Sequence, residues 1–135
     1  MKESESITVV MLEPGKESYI AEIGSSLEEL QEAVGGGYIE AIYPFSDKAC
    51  IICNDEGKFN GMRANRTLYG EQKQILDVIY GPFFICGIGE GDFTSLSAEL
   101  LEKYLTLFKV PEKIMLLGGR TTMVPCPPGS DIAIA

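Results

Sequence analysis

Histidine is absent from the sequence. It is the commonest general base near neutral pH and the commonest metal ligand, and it activates the serine or cysteine nucleophile of many hydrolases. Most hydrolase templates are thereby removed, and no other catalytic motif is recognisable. We therefore expect a protein that is not an enzyme, with no catalytic residues, no metal and no cofactor. An enzyme that uses a pair of carboxylates stays open as an alternative, because acidic residues are plentiful.

Basic residues are scarce. The chain has 11 Lys and Arg against 20 Asp and Glu, which gives a formal net charge of −9 at pH 7. Affinity for nucleic acid comes largely from basic side chains that neutralise phosphates. We therefore expect no direct binding to nucleic acid, and a partner protein with a basic surface fits the charge better.

Long apolar runs are also missing. The longest ones, such as residues 7–12 and 82–88, fall short of the roughly 20 residues that a membrane-spanning helix needs. The first six residues include two glutamates and lack the basic and apolar regions of a signal peptide. The sequence therefore predicts no membrane span and a cytoplasmic location, where cysteines stay reduced.

The four cysteines include a C-x-x-C pair, Cys50 and Cys53. The pair lies on a predicted strand, where its side chains point to opposite faces roughly 10 Å apart. A thioredoxin-type couple is excluded by that geometry, and a zinc site with Cys86 and Cys126 would require a broken strand. Buried core thiols are the expected outcome.

With 135 residues, the chain has the size of one domain. Residues 1–112 are predicted to form that domain. From 113 onward the composition changes to a short apolar run followed by a segment with three prolines. We expect residues 113–135 to be a C-terminal extension that packs on the domain or on a neighbour, which makes a homodimer a plausible hypothesis.

Apolar patterning predicts two helices and several strands. Ser26 and Glu29 form a capping box before a helix that ends at Gly35, and Ser97 caps a second helix whose apolar stripe includes Tyr104. The strands are predicted at 7–13, 17–23, 38–43, 48–53, 75–80 and 83–88. Residues 58–74 predict a loop that holds a short strand or helical turn. The fold class is then α+β: a mixed, mostly antiparallel sheet of five or six strands, with two helices packed on one face.

Acidic residues cluster at three places that form the candidate binding surface. The first helix presents a glutamate face, and two turns add further carboxylates. The candidate residues are Glu28, Glu29, Glu32, Asp55, Glu56, Glu90 and Asp92.

Arg63, Asn65 and Arg66 interrupt this acidic field in the irregular loop. Two of the three arginines of the chain lie here, and guanidinium groups match carboxylate or phosphate geometry. The three residues are therefore candidates for binding a ligand. The alternative is that the arginines form internal salt bridges that anchor the loop.

The glycine-rich turn at 87–91 follows a strand and precedes a helix, as a phosphate-binding turn does. Its spacing differs from G-x-G-x-x-G, and Glu90 and Asp92 would repel a phosphate. A flexible connection is the favoured interpretation. Together with the arginine loop, this turn gives the hypothesis of a small-molecule or nucleotide-binding protein.

Several separated segments resemble the DUF3846 family in order along the chain, from Val9 to Glu112. They are 12–15, 27–34, 38–45, 52–58, 65–66 and 81–96. The resemblance implies a small protein of unknown function of the kind found in phages and other mobile elements of bacteria. It implies no catalytic residues.

The charge, the missing histidine and this resemblance lead to one main hypothesis. We expect a non-enzymatic accessory protein of a mobile element that binds a bacterial protein through an acidic surface. An inhibitor of host defence, similar in role to anti-CRISPR proteins, is one form of this hypothesis.

Overall fold

The computed structural model describes residues 5–70 and 72–127. The elements of this part follow in chain order: β1 (Ser6–Leu12), β2 (Tyr19–Gly24), α1 (Leu27–Ala33), β3 (Ile39–Ile42), β4 (Ala49–Asn54), β5 (Ala64–Tyr69), β6 (Ile75–Tyr80), β7 (Phe83–Ile88), β8 (Phe93–Thr94), α2 (Ala98–Leu107), β9 (Glu112–Leu117) and β10 (Arg120–Pro125). The two helices have 7 and 10 residues, so neither is long enough to cross a membrane.

A six-stranded antiparallel sheet forms the centre of the protein. Its order is β2-β1-β7-β4-β3, and the short β8 pairs with the end of β7. Ile85 of β7 lies opposite Val10 of β1 on one side and Ile51 of β4 on the other. The predicted α+β class with a mostly antiparallel sheet is therefore confirmed.

Successive side chains of the central strands point to opposite faces of the sheet, and both faces are apolar. One face, here called the α1 face, carries Val9, Met11, Ile52, Phe84 and Cys86. The other, the ribbon face, carries Val10, Leu12, Ile51, Phe83 and Ile85. Every residue of β4 is buried, so this strand requires cover on both sides.

The two helices provide that cover from opposite sides. Leu30 and Val34 at α1 pack on the α1 face, whereas Tyr104 and Phe108 at α2 pack on the ribbon face. The prediction that both helices lie on one face is therefore wrong. The physical reason is the two-sided apolar character of the central strands, since one uncovered face would leave core residues in water.

Both helices begin at the predicted serine caps. Ser26 Oγ accepts the backbone N–H of Glu29 at 3.2 Å, as in a capping box, and the Ser26 hydroxyl donates to Glu29 Oε1 at 2.7 Å. Ser97 Oγ accepts the N–H of Leu100 at 3.2 Å. These local signals fixed where each helix starts, although not which face it covers.

The strands β5 and β6 pair with each other as a separate ribbon and do not join the central sheet. Leu68 and Ile79, on one side of the β5–β6 pair, pack on the ribbon face of the central sheet. The region predicted as a loop with a short strand thus contains β5. A bulge at Asn65 interrupts the register and leaves both Asn65 and Arg66 buried.

The C-terminal extension begins with a β-hairpin formed by β9 and β10. The hairpin contacts the domain where Thr67 of β5 donates to Glu112 of β9, and where Cys126 N–H donates to Pro111 O at 2.7 Å. Leu116 and Leu117 near its tip are exposed. The rest of the predicted extension, residues 128–135, lies outside the described residues, and the homodimer stays a prediction.

Candidate functional site

A cavity of about 580 Å³ opens on the ribbon face, between α2 and the β5–β6 ribbon. The loop between β3 and β4 and the turn between β5 and β6 complete its rim. Its apolar lining comes from Pro44, Phe45, Leu68, Tyr69, Leu107 and Phe108. Its polar lining includes Ser46, Asp47, Thr67, Lys73, Lys103, Tyr104 and Glu112.

Aromatic packing holds two walls of the cavity in place. The rings of Phe45 and Tyr104 lie with their centroids 4.5 Å apart, which ties the β3–β4 loop to α2. Phe108 packs against Phe83 of the central sheet in an edge-to-face arrangement, with the ring centroids 6.1 Å apart. Leu107 and Tyr69 remain more than half exposed at the opening, so apolar surface is available to a ligand.

Asp47 is the centre of a polar network that joins the β3–β4 loop to α2 at the cavity wall. Its Oδ2 atom accepts hydrogen bonds from Lys103 Nζ at 2.5 Å and from the Tyr104 hydroxyl at 2.7 Å. The hydrogen bond from Lys103, followed by that from Tyr104, lowers the pKa of Asp47. Burial, followed by the hydrogen bond to Asp47, raises the pKa of Tyr104. At neutral pH the cavity therefore presents an aspartate carboxylate and a protonated phenol.

Glu112 provides a second carboxylate, and it comes from the first residue of β9. Its Oε1 atom accepts the hydroxyl of Thr67 at 2.6 Å and the backbone N–H of Thr67 at 3.3 Å. That N–H lies on an edge of β5, where it would otherwise lack a strand partner. The first residue of the β9–β10 hairpin therefore contributes directly to the cavity wall.

Lys73 lies in the turn between β5 and β6 with a φ of 62°. It is the one non-glycine residue with a positive φ in the described part of the chain. Two backbone hydrogen bonds hold the turn: Lys73 N–H donates to Gly70 O at 3.0 Å, and Gly70 N–H donates to Gln74 O at 2.8 Å. The lysine is thus held at the rim in a conformation that glycine or asparagine adopts more readily.

Arg66 and Asn65 do not form the predicted binding site. Arg66 is fully buried and donates from Nε to Phe108 O at 3.0 Å, from one terminal nitrogen to Asn65 Oδ1 at 2.7 Å, and from the other to Lys16 O at 2.7 Å. Asn65 is also fully buried and donates to Leu12 O and Gly81 O. The prediction of ligand binding is wrong for these two residues, because their donors are used inside the protein.

The anchoring interpretation of this segment describes Arg66 better, although its hydrogen-bond acceptors are carbonyl oxygens and an amide oxygen. Burial lowers the pKa of Arg66 to about 10, and the nearby negative charge of Glu112 opposes that shift. The guanidinium therefore stays charged at neutral pH. Arg63 differs, because its side chain is exposed and lies beside the turn at Gly15.

The predicted acidic residues do not converge on one surface. Glu28 and Glu32 are exposed on α1, and the carboxylate of Glu29 accepts a hydrogen bond from the Ser26 hydroxyl. Asp55 and Glu56 follow β4 close to the end of α1, since Asn54 donates to Val34 O and Gly36 O.

Glu90 and Asp92 lie at the other end of the sheet, in the turn between β7 and β8. The antiparallel pairing of β4 and β7 places this turn next to the start of β4, whereas Asp55 and Glu56 follow its end. None of the seven predicted acidic residues lines the cavity.

The cysteines behave as core residues. Cys50 and Cys86 are buried on the α1 face with their sulfur atoms 3.7 Å apart, and Cys53 lies on the ribbon face. Burial, with contributions from Glu40, Asp77 and Asp55, raises the pKa of Cys53 to about 12. Over residues 5–70 and 72–127, no group of three or more Cys, Asp or Glu side chains is placed to hold a metal ion.

Sequence reasoning missed the residues that build the cavity. Asp47, Lys73, Lys103 and Glu112 come from four separate segments of the chain, so no local motif joins them. One signal was available: Tyr104 places a hydroxyl inside the apolar stripe of α2, and a buried tyrosine hydroxyl needs a polar partner.

Comparisons with known proteins identify a family but no close relative. No curated protein and no solved structure was found to be similar to the chain. The DUF3846 family, a domain of unknown function, matches residues 7–109. This range includes the walls of the cavity except for Glu112, and it covers more than half of the chain. The chain belongs to the DUF3846 family.

Proposed function

We propose that this protein binds a small molecule in the cavity between α2 and the β5–β6 ribbon. The observation that carries the proposal is the cavity itself. Its volume of about 580 Å³ falls within the range of roughly 300–1,000 Å³ that is usual for ligand sites. Aromatic and aliphatic walls with a few convergent polar groups are also typical of such sites.

Binding fits the chemistry of the lining better than catalysis. The carboxylate of Asp47 accepts two hydrogen bonds, and its lowered pKa makes it a weak general base at neutral pH. The carboxylate of Glu112 accepts from Thr67 at the edge of a strand, which is a structural arrangement. An enzyme that uses carboxylates remains an alternative hypothesis.

The test is a thermal-shift screen with metabolites, nucleotides and small aromatic compounds, followed by a variant that fills the opening. Leu107 lines the cavity but is 61% exposed, so Leu107→Trp should block the site with little damage to the core. We expect compounds that raise the melting temperature of the wild-type protein to lose this effect in Leu107→Trp.

Leu116→Trp is the matched control. Leu116 is 65% exposed and lies on the hairpin outside the cavity. Its variant should respond to ligands as the wild type does. A screen without any stabilising compound, or equal responses of both variants, would contradict the proposal.

The second candidate function is docking of an acidic surface on a basic bacterial protein. The net charge of −9 favours this candidate. A second argument is that several exposed carboxylates of the described residues form no ion pair within the protein. The ion pairs of the described residues use Glu13, Asp77 and Asp47, which leaves the carboxylates of Glu28, Glu32, Asp55 and Glu56 without a neighbouring cation. A role in a phage or other mobile element, as an inhibitor of host defence in the cytoplasm, belongs to this candidate.

Charge neutralisation tests this second candidate. The double variant Glu28→Gln with Glu32→Gln removes two exposed charges from α1 and keeps the shape of the side chains. The control, Glu17→Gln with Glu102→Gln, removes two exposed charges elsewhere. A true partner, captured from a bacterial lysate at low salt, should be lost by the α1 variant, kept by the control and released by high salt. Capture that is insensitive to salt would count against docking through this surface.

A further inference from the structure

The charged side chains around the cavity differ in whether an oppositely charged side chain lies beside them. Asp47 is paired with Lys103. Glu112 lies close enough to the buried Arg66 for its charge to act on that guanidinium. Lys73 lines the cavity and makes no ion pair with any carboxylate of the described residues. Among the described residues, the rim therefore holds one positive charge, that of Lys73, without a paired carboxylate.

The position of Lys73 supports a role in binding rather than in folding. Its backbone adopts a left-handed conformation that is less favourable for a residue with a β-carbon than for glycine. Local turn chemistry would favour glycine or asparagine at this place. The turn therefore gives no reason for a lysine, whereas a ligand with a negative group does.

The apolar part of the lining offers surfaces that an apolar ligand can cover. The ring of Phe45 packs against Tyr104 at 4.5 Å, and Leu107 and Tyr69 expose apolar surface at the opening. An apolar body can remove these surfaces from water while a charged group stays at the rim beside Lys73. The two features together define an amphipathic ligand.

We propose that the cavity selects small organic anions that join an aromatic or similarly flat apolar body to one carboxylate, with Lys73 binding the carboxylate. This inference rests on the proposed function, because it names the class of ligand for the same cavity. It excludes highly charged ligands such as nucleoside triphosphates, since Lys73 is the one cation of the described lining that is not already paired with a carboxylate.

The experiment compares two probes of equal shape, 2-naphthoate and 2-naphthamide, which differ in charge. Binding is followed by NMR titration of the ¹⁵N-labelled protein, with shifts expected at residues of the cavity wall. The wild type should bind the carboxylate about fivefold more tightly than the amide at low salt. In Lys73→Gln this preference should disappear, while affinity for the amide is unchanged. Lys109→Gln, a change at a lysine outside the cavity, should keep the preference.

Each outcome separates the two proposals. If the amide shifts the cavity residues and the carboxylate binds no better, the ligand class is wrong and the cavity remains a binding site. A preference that persists in Lys73→Gln removes the role of Lys73. If neither probe shifts the cavity residues, the ligand class is overturned. The proposed function is then judged by the broader screen and Leu107→Trp.

Discussion

The two faces of the central sheet are covered in different ways. On the α1 face, a single short helix packs Leu30 and Val34 on the strands, and Phe84 and Cys86 beneath it are fully buried. On the ribbon face, the cover comes in two parts, α2 and the β5–β6 ribbon, and the cavity lies between them. A face that is covered in two parts can keep a space between the parts, and here the cavity occupies that space.

Of the four buried polar side chains of the described residues, Asn65, Arg66 and Thr67 lie on β5, and Asn54 holds the end of α1. The α1 face core consists of aliphatic, aromatic and thiol side chains. The buried Arg66 and Asn65 lie instead beside the ribbon, where they connect β5 to the end of α2, to the β1–β2 turn and to the sheet. Buried polar groups need specific partners at fixed positions, so they hold the two parts of the cover in register. We infer that the α1 face provides stability and that the ribbon face sets the shape of the site.

The largest loss of stability is expected when a large side chain is removed from the core of the α1 face. Phe84 on β7 is fully buried, so Phe84→Ala should lower the free energy of unfolding by about 3–5 kcal/mol. Leu107→Ala at the opening of the cavity is the comparison, and its cost should stay within about 0.5 kcal/mol because Leu107 is largely exposed. Denaturant unfolding of both variants measures the difference. Similar losses would show that the two faces do not differ as described.

A slightly smaller effect is expected from Arg66→Ala. This change leaves the carbonyl groups of Phe108 and Lys16 without their buried donor, and the cost should be about 3 kcal/mol. Arg63→Ala, at an exposed arginine three residues away, should change stability by less than about 0.5 kcal/mol. Equal effects at the two positions in denaturant unfolding would argue against an anchoring role for Arg66.

The contrast between the two arginines shows what the sequence could and could not predict. The caps at Ser26 and Ser97 and the runs of β4 and β7 were readable, because they depend on neighbours within a few residues. The segment around Arg66 was not, because its direction depends on a bulge in β5 and on carbonyl groups more than 40 residues away. The cavity was missed for the same reason, since its walls come from separate segments whose packing the sequence does not encode locally.

The smallest effect concerns Asp47, and it appears as a dependence on pH. In the folded protein, the hydrogen bonds from Lys103 and Tyr104 lower the pKa of Asp47 below its ordinary value of 3.8. Because the folded pKa is lower than the unfolded one, the ionised carboxylate stabilises the protein above pH 3.8, and this contribution is lost as the pH falls through the lowered pKa. Asp47→Asn should therefore reduce stability near neutral pH, and the stabilities of the two proteins should converge in acid.

Asp55→Asn is the control, at an exposed aspartate without an ion pair among the described residues, and it should show a smaller difference from the wild type near neutral pH. The measurement is denaturant unfolding of the three proteins from neutral pH down to below pH 3.8. A gap between wild type and Asp47→Asn that stays constant into acid would mean that the network around Asp47 does not stabilise the wall of the cavity through its charge.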